Sequence, residues 1–306
     1  MAGTILCERM NLAMAVITVR SNLTIREKPS VFSFMHNIIV YIVLSLWACT
    51  TIIPLIWVLL NSFKTSDEIL TSAISIPEKF SFFNYEALSA YSDINMFRGF
   101  INSFIISGGV VLGVCLVAGF ASFALGRFKF KLSKLVKTFL VATMLVPQFA
   151  IILPNFLLIR TMHIQGTYLA LIIPQIATNL SFSILMISGF MASLPSELEE
   201  AAIIDGCSIP GIFFRITAPL SMPMFATMGI MVFIWSYNNL LMSLVYLSNR
   251  RLQPICVLLS LVRNTFGTDY GAMMAAIIIT IIPVLILYVI SQENVVKGLT
   301  AGAVKG

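Results

Sequence analysis

Charge is what this sequence has least of. Asp, Glu, Lys and Arg make up 10% of its 306 residues against 58% hydrophobic ones, and the mean hydropathy is +0.97. A soluble domain carries about a quarter of its residues as charges, so that class is excluded. Nor is the shortage uniform. No charged residue occurs in 29–63, 99–126, 138–159, 161–196, 216–249 or 270–292. Each interval holds the ~20 apolar residues that cross a bilayer as a helix. The chain reads as all-α and polytopic, with six transmembrane helices.

Catalytic and metal-binding patterns are missing too. The five cysteines, Cys7, Cys49, Cys115, Cys207 and Cys256, show no CxxC spacing and suit packing in apolar surroundings rather than a disulfide framework. The two histidines, His36 and His163, fall near span ends and in no metal-like cluster. No GxxxxGK[ST] phosphate cradle occurs, so the chain does not hydrolyse nucleotide by that route. No internal repeat is found, which weighs against the inverted-repeat carriers. The net charge of +6 is explained by topology, and no nucleic-acid partner is expected.

In chain order, residues 1–35 form an N-terminal segment. Its apolar run Met10–Val19 superficially resembles a signal peptide but has no small-residue cleavage site and is followed by more charge. A cytoplasmic or interfacial segment is expected, or a start at Met10 or Met14. Spans are placed at about 36–60, 102–125, 138–158, 169–191, 224–247 and 272–290, with a C-terminal tail 291–306. Between the second and third lies a purely basic loop, Arg127, Lys129, Lys131, Lys134 and Lys137. The positive-inside rule puts it in the cytoplasm. Both termini and the loop 194–223 follow it there, which leaves twelve of the nineteen Lys and Arg inside and seven outside.

The loop Leu194–Pro223 holds four of the thirteen acidic residues, Glu197, Glu199, Glu200 and Asp205. Ser196 and Glu199 have capping-box spacing, which predicts a helix start running through Glu200-Ala201-Ala202. Gly206 fits the helix end, where a left-handed residue is needed. Ser208 followed by Pro210 signals a second helix start. An ordinary loop between spans is an equal reading on this chemistry alone.

The proposed spans contain no Asp, Glu, Lys or Arg. Ion-coupled carriers ordinarily place such a group at mid-membrane, so energy is expected from elsewhere. Their polar residues are neutral: Gln148, Asn155, Gln175, Asn179, Ser181, Ser183, Ser236, Asn238 and Asn239, with Trp235 and Tyr237 nearby. Amides, hydroxyls and aromatics suit a neutral polyhydroxylated solute. Interhelical hydrogen bonding is the alternative for each of them. Gln148, Asn155, Asn179, Trp235, Tyr237, Asn238 and Asn239 are the candidates for a substrate pathway.

Glu200-Ala201-Ala202-x-x-Asp205-Gly206, followed by Phe213, Ile216, Pro219 and Pro223, resembles the EAA loop of binding-protein-dependent ABC importer permeases. Asn61-Ser62-Phe63-Lys64, Asn84-Tyr85, Asn102-Ser103, Ala121-x-x-Ala124-x-x-Arg127 and Met144-x-x-Pro147 are similar to the carbohydrate branch, that of the smaller membrane subunit of the maltose importer. So is the tail Gly298-Leu299-x-x-Gly302-Ala303-Val304-Lys305-Gly306. The likeness covers 32–306. Cys207, Tyr237 and Glu293 depart from the family pattern, standing where Ala, Trp and a basic residue are usual.

This resemblance implies a type I ABC importer transmembrane domain, in the cell inner membrane, that carries a sugar or oligosaccharide. It implies no catalytic residue and no cofactor in this chain, with ATP and magnesium held by a separate ATPase. Glu200, Ala201, Ala202, Asp205, Gly206 and Pro219 would couple to that ATPase, and Gly302, Lys305 and Gly306 of the tail would touch it. The implied partners are a homologous second permease, a dimer of ATPase subunits and an extracytoplasmic solute-binding protein. A permease for glycerol phosphate, a polyol or an amino acid is the alternative, and an ion-coupled secondary carrier a more distant one.

Overall fold

The structure, a computed structural model, describes residues 31–90, 95–265 and 269–303. The segment 1–30 and the tail residues Lys305 and Gly306 therefore lie outside the described residues. The chain divides into two units, 1–56 and 57–306. The first holds most of helix α1, Val31–Asn61. Pro54 inside it cannot donate to the carbonyl one turn back, and membrane helices tolerate this where hydroxyls adjust nearby. Thr50 Oγ1 donates to the Trp47 carbonyl at 2.7 Å.

The second unit begins with two short helices, α2 (Ser66–Thr71) and α3 (Phe83–Ala90), and then a long one, α4 (Met96–Arg127). Next come α5 (Ser133–Met144), α6 (Gln148–Thr161) and α7 (Leu169–Met191). Two short helices, α8 (Glu197–Ile204) and α9 (Ile209–Ile212), lead into a wide π-helical turn, Phe213–Thr217. After it come α10 (Ala218–Leu220), α11 (Met222–Tyr237), α12 (Leu240–Tyr246), α13 (Ile255–Thr265) and α14 (Tyr270–Ala303). Gly302 of the tail lies in α14, whose helix runs on well past 290.

Among the described residues four helices are long and apolar enough to cross a membrane, and up to six spans result if each of two bent pairs is one span. The bends depart from the continuous helices that the charge-free intervals suggest. Helices α5 and α6 meet at 99° across residues 145–147. Pro147 explains the break, because it lacks an N–H and turns the residue before it away from helical geometry. It sits in extended backbone (φ −66°, ψ 135°) at the start of α6. The segment 209–220 likewise meets α11 at 73°, with Pro223 in the first turn of α11. The interval 224–247 is two helices. Asn238 and Asn239 separate them, and the Asn239 side chain caps α12 by accepting from Met242 N at 3.2 Å.

Helices α4, α7 and α11 pack against one another around Val110, Val114, Ile184, Ile187, Met228 and Val232. Gly126 lets the ends of α4 and α7 touch: a Cβ there would stand 2.8 Å from the Ser188 carbonyl oxygen. That close approach positions the next residue, Arg127. At the other end of α4, Asn102 Nδ2 donates to the Arg251 and Gln253 carbonyls at 3.0 and 2.9 Å. Asn84 Nδ2 similarly ties the Ser62 and Lys64 carbonyls at 2.8 and 2.9 Å. The motif asparagines thus latch loops to helices.

Candidate functional site

In the loop 194–223, the expected reciprocal cap between Ser196 and Glu199 does not form. Ser196 is itself helical (φ −74°, ψ −24°) and makes no side-chain cap. Glu199 turns inward instead, where Arg127 Nε donates to its Oε1 at 2.7 Å and Thr217 Oγ1 donates to the same oxygen at 2.8 Å. A charge-assisted bond to arginine outweighs a bond to a neutral backbone N–H. Arg127 also donates from Nη1 to the Met191 and Leu194 carbonyls, both at 2.9 Å, and from Nη2 to Pro195 O at 3.2 Å. These are carbonyls at and just beyond the end of α7, which lack helical donors and sit at the negative end of its dipole. The arginine side chain is 7% exposed, and this is the one ion pair among the described residues.

The glycine reading matches the local backbone. Gly206 has φ +79°. Around it, Gly206 N donates to Ile203 O at 3.0 Å and Cys207 N to Ala202 O at 2.9 Å. Together these form a complete Schellman closure of α8. Ser208 opens α9 by accepting from Gly211 N at 3.4 Å, with Pro210 in its first turn.

The loop has two faces. Ala202 is buried against the chain's own core beside Phe213 and Cys207, so the close approach its small side chain permits is an internal one. Glu200, Ala201, Asp205, Gly206 and Pro219 are exposed. So are large apolar side chains of the same loop, among them Leu198, Ile203, Ile204 and Ile209, with Ile204 87% exposed.

Five of the seven pathway candidates line one cavity of about 1080 Å³: Gln148, Asn179, Trp235, Asn238 and Asn239. The breaks in the helices make it, since the bend at Pro147 carries α6 away from α5 and α11 ends at Tyr237 beside it. Thr143 and Ser181 join the lining, with their hydroxyls 2.7 Å apart, and Phe182 meets Trp235 edge-on at 5.6 Å. Gln148 and Trp235 make no side-chain hydrogen bond among the described residues, and the Asn179 and Asn238 amides donate only to carbonyls of their own helices. Tyr237 and Asn155 line no part of it. Tyr237 is buried, and its hydroxyl donates to Thr280 O at 3.2 Å. Asn155 lies on α6 one turn after Ile152, whose carbonyl accepts from the Tyr246 hydroxyl at 3.1 Å.

A residue that composition treats only as a topology marker has a second role here. Arg127, Lys129, Lys131, Lys134 and Lys137 all line an open cleft of about 880 Å³, and Arg127 turns its guanidinium inward to the loop. The signal in the sequence was its place at the end of Ala121-x-x-Ala124-x-x-Arg127, directly after Gly126.

Comparison with known proteins supplies the context. A family model described as "Binding-protein-dependent transport system inner membrane component" matches residues 116–301. The sulfoquinovosyl glycerol transport system permease protein SmoH of Agrobacterium fabrum is 32% identical over 285 residues, 92% of this chain and 99% of that protein. The trehalose/maltose transport system permease protein MalG of Thermococcus litoralis is 30% identical over 273 residues, 89% and 98% of the two chains. Among solved structures, a chain of a bacterial ABC transporter involved in the import of the acidic polysaccharide alginate superposes with a TM-score of 0.75 at 19% identity. That match covers 86% of this chain and 98% of the other, and it shows a shared fold.

Proposed function

Because this chain belongs to the family of binding-protein-dependent transport system inner membrane components, we propose that it is the membrane-spanning subunit of an ATP-driven ABC importer for a sugar or oligosaccharide. ATP is bound and hydrolysed by a separate pair of ATPase subunits, a second permease completes the pore, and an extracytoplasmic binding protein delivers the solute. Relatives that cover nearly the whole chain carry trehalose, maltose or sulfoquinovosyl glycerol in their names.

The observation that carries the reading is the two-faced loop. Its inner side is fixed to α4, α7 and the turn before α10 by Arg127, Glu199 and Thr217. Its outer side presents Glu200, Ala201, Asp205 and Gly206 together with exposed isoleucines. Large exposed apolar groups on a rigid segment suit a protein partner. Closure of an ATPase pair against that face would push on the ends of α4 and α7 together, which supplies the two-state element that coupling requires. At the far end of that motion the cavity holds neutral donors and acceptors for hydroxyls. In this reading the loop and both termini are cytoplasmic, and Gly302, Lys305 and Gly306 add a tail contact to the ATPase.

Purification of the chain with its bound partners tests this. An ATPase should co-purify, and uptake should vanish on ATP depletion yet survive an uncoupler. Uptake that collapses with the uncoupler while ATP is present would favour an ion-coupled carrier.

A further inference from the structure

Gln175 is a wholly enclosed amide with nothing to bond. It lies in α7 at 0% exposure, and neither its Nε2 nor its Oε1 has a hydrogen-bond partner among the described residues. Buried amides in native proteins are paired as a rule, and an exception asks for a reason. The backbone of the same residue is well engaged: its carbonyl accepts from Asn179 Nδ2 at 2.7 Å and from Thr178 Oγ1 at 3.1 Å. Thr178 and Asn179 line the cavity. A helical side chain leans over the turn N-terminal to it, so the cavity wall at Asn179 rests on the turn that carries Gln175. Two of the helices packed against α7 repeat the feature. Ser107 of α4 and Ser236 of α11 are buried, and their hydroxyls are likewise unpartnered.

We propose that Gln175 is a solute-binding residue of the translocation path, withdrawn in this conformation. When the helices part during the transport cycle, its amide turns to the path and hydrogen-bonds a neutral, polyhydroxylated solute. This rests on the importer reading above. An amide offers a donor and an acceptor side by side, the complement of a hydroxyl that is both. A conformation that leaves such a group unpaired is disfavoured relative to one that pairs it, so solute that satisfies Gln175 shifts the population toward the open state. If the position served packing alone, leucine would fill the space without stranding two polar atoms.

The test uses the complete transporter in proteoliposomes, freed of other cysteines and probed with a positively charged, membrane-impermeant methanethiosulfonate. Gln175→Cys should be modified at least about tenfold faster in one nucleotide state, ATP-vanadate-trapped or nucleotide-free, than in the other. Asn179→Cys, on the cavity wall, is the reference. If it is modified while Gln175→Cys stays inert in every state, the inference falls and the importer reading stands. If neither is modified, the cavity is no water-filled path and the inference falls with it. A complex that holds no ATPase is the separate failure of the importer reading itself. Gln175→Leu gives a measurement that does not depend on the cysteine variant. The assembled leucine transporter should be at least as heat-stable as the parent, and a marked fall in its melting temperature would show that the amide already has structural partners and overturn the proposal.

Discussion

The loop 194–223 and the cavity around Asn179 follow opposite rules. In the loop, the guanidinium of Arg127 reaches one carboxylate and three carbonyls, and Glu199 takes a further bond from Thr217. In the cavity, Gln148 and Trp235 bond to nothing among the described residues, and the other amides lean on their own helices. A joint that passes on a displacement must not yield, so short charged bonds suit it. A passage that accepts and releases a solute needs polar groups still open to bonding. On the proposed coupling role, the one ion pair among the described residues sits where stiffness would be needed.

The sharpest way to break this contrast is Arg127→Ala. It strands the Glu199 carboxylate in a partly enclosed site, and breaking a buried pair costs about 3–5 kcal/mol. Most of the assembled transporter should be lost, or its melting temperature sharply lowered. Arg127→Lys should recover little, because an ammonium cannot match the planar fork. A parental melting temperature in the alanine variant would mean the pair does not hold the loop.

Gly206→Val comes next. The space around Gly206 is open, so the strain is in the left-handed backbone alone, about 1–2 kcal/mol. ATP-driven uptake should disappear while membrane insertion persists, and Gly206→Asn, which tolerates that backbone, should keep most of it. Equal uptake in the two variants would remove the helix end from the coupling path.

On the cavity side, Asn179→Ala should raise the KM for uptake roughly fivefold, the equivalent of one hydrogen bond of about 1 kcal/mol. Assembly and basal ATP turnover should be unchanged, and an unmoved KM would place the passage elsewhere. Tyr237→Phe comes last, with no effect on uptake expected. It removes only the bond to Thr280 O, costing about 0.5–1.5 kcal/mol of stability. KM should not move, and a shifted KM would bring the tyrosine into the passage.

How much of this could be read from the residues follows from the range of the forces involved. Intervals without charge locate apolar helices directly, because burying a charge in lipid is so costly. Gly206 and Ser208 were legible because their constraints act within a few residues. The bends were not. Pro54, Pro147 and Pro154 look alike in sequence, yet Pro54 and Pro154 stay inside helices and only Pro147 ends one. Nor was the fate of Ser196. Its local cap competes with an arginine 69 positions earlier in the chain, and only the contact between α4 and α7 brings that arginine near. The cavity was legible by residue type but not by direction. Trp235 and Tyr237 are two positions apart on one helix, which turns one toward Phe182 and the other toward Thr280.

The wide turn at Phe213–Thr217 bears on direction of another kind. A π turn holds one residue more than the α-helix around it, and each residue of a helix is worth ~100° of rotation about its axis. The extra residue therefore sets the angular phase between the loop and everything that follows. Delete one residue from this stretch, and the face of α11 that carries Met224, Met228 and Val232 would swing away from α4, while Thr217 would lose its aim at Glu199. The number of residues here, more than their identity, decides which way the two ends of the segment look.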